Sequence, residues 1–350
     1  MPEGHSVHRI ARQFALHFLG ERVAVSSPQG RFAAGAARID GRVMTEAKAV
    51  GKQLFLRFDN ELWLRVHLGI YGAWDFAGEI TVDATMASAG GRIGQTNQRG
   101  TFLDQDAAED SNWSIGAPRR ARLRMAEQER LEEPVEPASA ESFPPESFPP
   151  EPVGAVRVRL LAERTVADLR GPTACDVITG EEVVAQLARL GPDPLVDDPA
   201  EGERRFLASV LRRPTPIALL LMDQSVVAGI GNVYRAELLF RARLEPHTPG
   251  RELSERTVRA LWRDWSHLLS VGVETGQMLT MDGLSEDAYR AALAHRDDRH
   301  WVYHRAGLPC RLCGTPIAME VIGGRKLYWC PGDQRAGDQR AGDQRAGDQR

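Results

Sequence analysis

Apolar positions change their period along the chain, and each change marks a boundary. From Glu3 to Leu19, the residues Val7, Ile10, Phe14 and Phe18 recur at helical spacing, with Gly20 as a stop, so a leading helix is expected. The pattern then alternates. RVAVSS, ARIDGRVMTEAKAV, KQLFLRFD and ELWLRVHLGIYGAW read as β-strands joined by turns that contain Gly and Asp. After about Phe76 the alternation fails, and residues 78–153 form an acidic, proline-rich stretch that includes the tandem ESFPPESFPP. Such a segment buries too little surface to offset its ordering entropy, so disorder is expected there. AVRVRLLAERTVADL restores strand character. From about Glu181 the period becomes helical, in EEVVAQLARL, GERRFLASVLRR, PIALLLMDQ, VYRAELLFRAR and RTVRALWRDWSHLLSVGVETG. The stretch WVYHRAGLPCRLCGTPIAMEVIGGRKLYWCP reads as short strands and turns with three cysteines, and a GDQR repeat follows. The repeat holds nothing apolar larger than alanine, and disorder is expected there too.

Composition adds bounds. A 350-residue chain with 42% hydrophobic and 26% charged residues is ordinary for a soluble protein and has room for two or three domains. No apolar run reaches membrane-spanning length, and Glu3, His5, Arg9 and Arg12 interrupt any secretory h-region, so a cytoplasmic protein is expected. The net charge of −4 is unevenly spread: Asp104–Glu151 holds twelve acidic residues against five arginines, a net of −7, which leaves the rest at +3. The overall charge therefore argues neither for nor against a polyanionic partner.

Six short stretches carry candidate chemistry. In MPEG, loss of Met1 would leave Pro2 as a terminal secondary amine, titrating near ~8 and able to form an iminium with a carbonyl-like carbon. Cys310 and Cys313 form a C-x2-C knuckle, and Cys330 follows after sixteen residues, but the position expected to hold a fourth thiolate is Asp333. Three thiolates and a carboxylate make a harder, weaker zinc site; unliganded buried cysteines are the alternative. VAGIGNVYRAELLF places Asn232 behind two glycines at a helix start, either as an N-cap or as part of a phosphate clamp. Lys52, behind Gly51, is either an exposed turn lysine or a phosphate contact; Arg325 projects from a hairpin turn at Gly323–Gly324, close to the candidate zinc ligands, and a plain exposed hairpin arginine is the alternative. Ile70 and Tyr71, framed by Gly69 and Gly72, are either core or a wedge for a base stack. His5 and His8 are assigned no role, and Cys175 is read as a plain buried thiol.

Taken in order, MPEGHSVHR, GKQLF, HLGIYGAW, LLLMDQSVVAGIGNVYRAELLF and VYHRAGLPCRLCGTPI…GRKLYWCP resemble the formamidopyrimidine-DNA glycosylase/endonuclease VIII family, most of all its actinobacterial endonuclease VIII-like branch. The resemblance implies an α+β multidomain fold. Its parts would be an N-terminal β-sandwich with a leading helix (1–180, with the insert 78–153), a helix–two-turn–helix domain (181–294), a zinc-finger hairpin (295–334) and a repeat tail (335–350). DNA would run through a basic cleft between the two halves. The implied activity is a bifunctional DNA glycosylase and abasic-site lyase acting on oxidised pyrimidines, with damaged DNA as partner, zinc as structural metal and a monomeric state. Pro2, Glu3, Lys52 and Arg325 would be catalytic; Ile70, Tyr71 and Asn232 would bind DNA; Cys310, Cys313, Cys330 and Asp333 would hold zinc. Where endonuclease VIII members have glutamine this chain has Gly69, which bears on lesion preference. Two alternatives stay open: a DNA-binding member impaired by the missing fourth cysteine, and an abasic-site lyase that removes few bases.

Overall fold

The computed structural model describes residues 2–80, 113–116, 148–295 and 298–335. The chain divides into two compact units, one of Met1–Pro2 and Ser6–Ala185, the other of Glu3–His5 and Gln186–Arg350. Among the described residues no helix is long and apolar enough to cross a membrane.

In the first unit, helix α1 (Gly4–His17) leads into strands β1 (Arg22–Ser26), β2 (Arg42–Val50), β3 (Gln53–Phe58), β4 (Trp63–His67), β5 (Ala73–Gly78), β6 (Trp113–Gly116), β7 (Val156–Leu161), β8 (Thr165–Arg170) and β9 (Ala174–Ile178). All strand pairs are antiparallel, in the order β6-β5-β8-β7-β1-β2-β3-β4-β9. β1 and β2 share only the rungs Arg22↔Val43 and Val23↔Arg42. That short seam lets the sheet fold over as two layers of a sandwich. Leu54, Leu56, Phe58, Leu64 and Val66 from one layer meet Trp74, Phe76, Val158, Leu160 and Leu169 from the other in a single core. Val7, Ile10, Phe14 and Phe18 of the leading segment enter the same core, as their spacing predicts.

Two strand expectations need correction. ARIDGRVMTEAKAV is not strand throughout: the alanine-rich AAGAARI forms helix α2 (Ala33–Ile39), which buries Ala36 and Ile39, and the strand begins only at Arg42. The stretch expected to be disordered contains β6, which pairs Trp113↔Phe76, Ser114↔Asp75, Ile115↔Trp74 and Gly116↔Ala73. An open edge of β5 gives this Trp- and Ile-bearing segment a ladder to join. Residues 81–112 and 117–147 of that stretch lie outside the described residues.

The second unit is helical: α3 (Gly180–Leu187) bridges into it, followed by α4 (Pro199–Leu211), α5 (Ile217–Leu220), α6 (Asn232–Arg241), α7 (Glu255–Thr275) and α8 (Glu286–Ala294). Local chemistry sets the ends. Asp198, Ser254 and Ser285 cap α4, α7 and α8 through their side chains, and Gly276 closes α7 at φ +70°. The chain then forms the hairpin β10 (Ala318–Ile322) and β11 (Arg325–Trp329). Leu327, Tyr328, Cys310 and Cys330 pack into the same core as Tyr234, Leu238, Trp265 and Leu269, so the hairpin is built onto the helices. Glu237 of α6 secures that join: its buried carboxylate accepts the N–H groups of Trp301, Val302 and Tyr303 at 2.8–2.9 Å and the Thr280 hydroxyl at 2.5 Å. Burial pushes its pKa up, and those four bonds work against the rise.

The first GDQR unit, whose Gly332, Asp333 and Gln334 fall inside the 295–334 hairpin range, also departs from the disorder expected for the repeat. Gln334, in the first GDQR unit, is fully buried, accepts from Cys330 N at 2.8 Å and donates to Leu244 O at 3.0 Å. The amide has two backbone partners, which composition does not reveal. Residues 336–350 lie outside the described residues.

Candidate active site

Glu3 is one of the most enclosed acidic groups in the protein, at 1% exposure. Its carboxylate accepts N–H groups from Gly231 at 2.8 Å, Val233 at 2.9 Å and Tyr234 at 3.4 Å. These are the donors that the first turn of a helix leaves unsatisfied, and the positive end of the α6 dipole adds attraction for an anion. The two glycines exist for this approach. A Cβ on Gly231 would lie 2.6 Å from Glu3 Oε1, and a Cβ on Gly4 would lie 2.9 Å from Gly229 Cα. Gly4 N also donates to Gly229 O at 2.9 Å, and Gln224 holds the loop by bonds to Gly229 N and Ile230 O, both 3.0 Å. Pro2, which precedes Glu3 in the chain, is buried.

This corrects the reading of Asn232. It is the first residue of α6, with Gly231 as N-cap, and its side chain caps nothing. The helix N–H groups proposed for a phosphate hold Glu3 instead. Asn232 Nδ2 donates to Lys326 O at 2.8 Å, and Asn232 Oδ1 accepts from Arg235 Nη2 at 2.5 Å. Arg235, which the sequence reading passed over, is fully buried and also donates to Lys326 O at 3.1 Å. Burial lowers its pKa to about 10; Glu3 favours its charge and Arg325 opposes it. An arginine inside the apolar run VYRAELLF was the available signal. In the second unit Glu3, Asn232, Arg235 and the start of β11 thus form one cluster. Arg325 opens β11, exposed, behind Gly323 and Gly324 at φ +57° and +71°. Positive φ at both central residues is the type I′ requirement.

In the first unit, Gly51 and Lys52 are the whole turn between β2 and β3, with Gly51 at φ +57° at the first central position of a II′-like turn. Lys52 is half-buried. The rung Gln53↔His67 sets this turn at the same end of the sheet as the 68–72 loop. His67, also missed from sequence, has its pKa lowered by burial, then by Lys52 and Arg65, which keeps the imidazole neutral at pH 7. Ile70 and Tyr71 stand at the loop tip, 36% and 40% exposed, so they are not core. Cys175 on β9 is half-buried, and burial pushes its thiol up to about 12, so it is no nucleophile at neutral pH.

The donor atoms of Cys310, Cys313, Cys330 and Asp333 all lie within 4.8 Å of one another. A tetrahedral zinc with bonds near ~2.3 Å needs donor separations near ~3.7 Å. Cys313 Sγ–Cys330 Sγ at 3.4 Å and Cys330 Sγ–Asp333 Oδ2 at 3.6 Å fit that, and Cys310 Sγ–Asp333 Oδ2 is closer, at 3.0 Å. Leu312 N and Asp333 N point at Cys310 Sγ and Cys330 Sγ, both 3.4 Å, the backbone support that a zinc knuckle gives its thiolates. Burial pushes the Cys330 thiol up to about 12, whereas thiol donors and Arg243 hold Asp333 below its usual range against the effect of burial. The donor set fits zinc, with Asp333 as the fourth ligand.

Comparison with known proteins decides the family. The formamidopyrimidine-DNA glycosylase N-terminal domain matches residues 1–131, its H2TH domain 190–282, and the zinc finger found in FPG and IleRS 307–336. Endonuclease 8 1 of Mycobacterium tuberculosis is 37% identical over 333 residues, 95% of this chain and 98% of its own length. The chain belongs to the formamidopyrimidine-DNA glycosylase/endonuclease 8 family. Another member, formamidopyrimidine-DNA glycosylase of Thermus thermophilus, is 40% identical over 148 residues, 41% of this chain and 53% of its own. Solved folds agree: the crystal structure of the MutM (Fpg) protein from Thermus thermophilus aligns with a TM-score of 0.59 at 24% identity, over 95% of this chain and 98% of that one. A Lactococcus lactis Fpg complex with N7-benzyl-Fapy-dG-containing DNA aligns at 0.63 and 17% identity, over 96% and 100%. The β-sandwich, helix–two-turn–helix and zinc-finger parts of this family are the parts described above.

Proposed function

We propose that this chain is a base-excision DNA glycosylase and abasic-site lyase whose nucleophile is Pro2, exposed as a secondary amine by removal of Met1. The observation that carries the reading is the lock of Glu3 onto the α6 N-terminus, which fixes the residue next to that amine. Damaged DNA is the partner, and oxidised pyrimidines are the substrate class we favour.

In this mechanism the lesion leaves the stack, and Ile70 and Tyr71 fill the gap. Pro2 nitrogen attacks C1′ while Glu3 delivers a proton to the sugar ring oxygen, so nucleophile and acid, adjacent in the chain, act on adjacent atoms. The C1′–N bond to the base breaks, and its electron pair leaves with the base. The C1′–O4′ bond opens to leave the protonated ring oxygen as a 4′ hydroxyl, and the proline nitrogen, giving its N–H proton to the departing base, completes the iminium. The resulting iminium acidifies the C2′ proton, whose loss expels the 3′ phosphate, with Lys52 as proton donor. A second elimination, assisted by Arg325, expels the 5′ phosphate, and hydrolysis of the iminium frees Pro2. Lys52 and Arg325 also hold phosphates. Zinc on Cys310, Cys313, Cys330 and Asp333 supplies structure to the hairpin that bears Arg325 and no step of the reaction.

Borohydride trapping on an abasic-site oligonucleotide tests the nucleophile. A reduced enzyme–DNA adduct is expected for the protein lacking Met1. It is expected to be absent for Pro2→Gly and for protein that retains Met1. An undiminished adduct in both would remove Pro2 from the mechanism.

A further inference from the structure

The loop bearing Ile70 and Tyr71 is packed edge-on against a second turn, Gly171–Pro172–Thr173, which joins β8 to β9. Three contacts define the pairing. Thr173 N donates to His67 O at 2.9 Å, just beyond the His67↔Ala174 rung of β4 and β9. Gly171, at φ +57°, faces Tyr71: a Cβ there would lie 3.2 Å from Tyr71 O. Gly69, at φ +66°, faces Thr173: a Cβ there would overlap Thr173 Oγ1 and lie 3.0 Å from Thr173 Cβ. The loop is also closed on itself by Gly72 N to Leu68 O at 3.0 Å, and Leu68 is anchored in the core.

The Thr173 side chain has one rotor, and turning it does not move its Cβ. Any retreat of the backbone stretches its bond to His67 O, and Pro172, which is buried, stiffens the turn. A side chain at position 69 therefore has to turn the Thr173 hydroxyl aside and push its Cβ back. Resting on the proposed wedge role of Ile70 and Tyr71, we infer that Thr173 is the positioning residue of the wedge. It occupies the space at position 69, limits the wedge to two side chains and holds them pre-set at the loop tip. A rigid apolar tip need not be ordered when the nucleotide flips, which favours extrusion of the lesion. Nothing in this role touches the sugar or the phosphates, so strand cleavage at a site that has already lost its base is independent of it.

The test uses four variants of the full chain: Thr173→Gly, Thr173→Ser, Gly69→Asn, and Gly69→Asn combined with Thr173→Gly. Asparagine tolerates positive φ, so at position 69 it probes the collision more than backbone strain. Each is measured for removal of a dihydropyrimidine from duplex DNA, for cleavage of a plain abasic site, and for flipping by stopped-flow fluorescence of 2-aminopurine beside the lesion. Thr173→Gly and Gly69→Asn are expected to slow flipping and base removal by ~10–100-fold, the scale of a misplaced contact group, with abasic-site cleavage within about twofold. Thr173→Ser should retain wild-type rates, and the double variant should recover most of what Gly69→Asn loses. Abasic-site cleavage also reports folding, since a misfolded variant loses both activities. The inference is overturned if Thr173→Gly flips and excises normally, or if the double variant is no better than Gly69→Asn alone. An Ile70→Gly/Tyr71→Gly variant with normal base removal would instead overturn the wedge reading beneath it.

Discussion

Two hairpins present a basic residue from a glycine turn, and they are secured by opposite means. The Lys52 turn joins β2 and β3, whose Leu54, Leu56 and Phe58 are core residues of a nine-stranded sheet. The Arg325 turn joins β10 and β11, a two-stranded sheet in which Leu327 is the fully buried side chain. A lone two-stranded hairpin is marginal in water. This one is held by fixed points outside its ladder: the metal donor set, the Asn232 and Arg235 bonds to Lys326 O, Gln334 on Leu244 O, and His247 between Glu245 and Glu320. The same geometric device rests on hydrophobic area in one unit and on polar and metal anchors in the other.

Metal withdrawal should break the symmetry most. Structural zinc supplies ~10–16 kcal/mol of apparent binding free energy in small fingers, and here that energy falls on one hairpin only. A strong chelator is expected to abolish strand cleavage at an abasic site. It should also remove hydrogen-exchange protection from 318–329 while 42–58 stays protected. Equal loss in both segments would erase the distinction between the hairpins.

Asp333 grades the same effect. Asp333→Ala should lower zinc content well below one per chain after dialysis, with incision falling in proportion. Asp333→Cys should tighten retention, because a fourth thiolate is softer and more strongly bound than a carboxylate. If Asp333→Ala keeps its zinc through dialysis, Asp333 is not a ligand.

Asn232→Ala comes next. It removes the donor to Lys326 O and the acceptor for the buried Arg235 guanidinium, at a cost of ~1–3 kcal/mol in the second unit. The expected result is a lower melting temperature with β11 losing protection and the β2–β3 hairpin unchanged. Lys52→Ala and Arg325→Ala should each reduce the salt dependence of DNA binding by slightly less than one charge (~0.9 for duplex) without unfolding either unit. An unchanged slope in either variant would remove that residue from the phosphate contacts.

The two units were also unequally legible in the sequence. Periodicity located α1 with its core residues Val7, Ile10 and Phe14 and, just past its end, Phe18, and turn glycines located both hairpins, because these depend on neighbours in the chain. Helix α2 was hidden by a strand-like run on its C-terminal side, and α8 was passed over although Ser285 caps it. The partner of Glu3 lies 228 residues away, so local spacing contained nothing about it. The G-I-G-N motif was visible as an N-cap or a phosphate clamp, but Gly231 N, with Val233 N and Tyr234 N just beyond the motif, donates to Glu3. Glycine reports that something comes close and does not say what: at Gly231 it is the Glu3 carboxylate, at Gly69 the Thr173 side chain. The metal donors were found by spacing, down to the carboxylate at 333, because knuckle spacing is itself a local rule.

The smallest expected effect tests the polar anchoring of the second hairpin through pH. His247 Nδ1 lies 2.6 Å from Glu245 and Nε2 lies 3.2 Å from Glu320 of β10. Burial opposes its charge, but the two carboxylates outweigh it and raise its pKa above the ordinary value. The folded pKa therefore exceeds the unfolded one. The stabilisation is complete below the unfolded value near ~6.5 and is lost as pH rises through the folded value. His247 is 43% exposed, so solvent screening keeps the contribution small. Between about pH 6 and about pH 8 the melting temperature of wild-type protein should fall more than that of His247→Gln, by roughly 1–2 °C. Hydrogen exchange should place the difference in β10. A pH-dependent loss that survives in His247→Gln would shift the anchor to another titrating group, and an identical loss in the β2–β3 hairpin would show that pH does not separate the two.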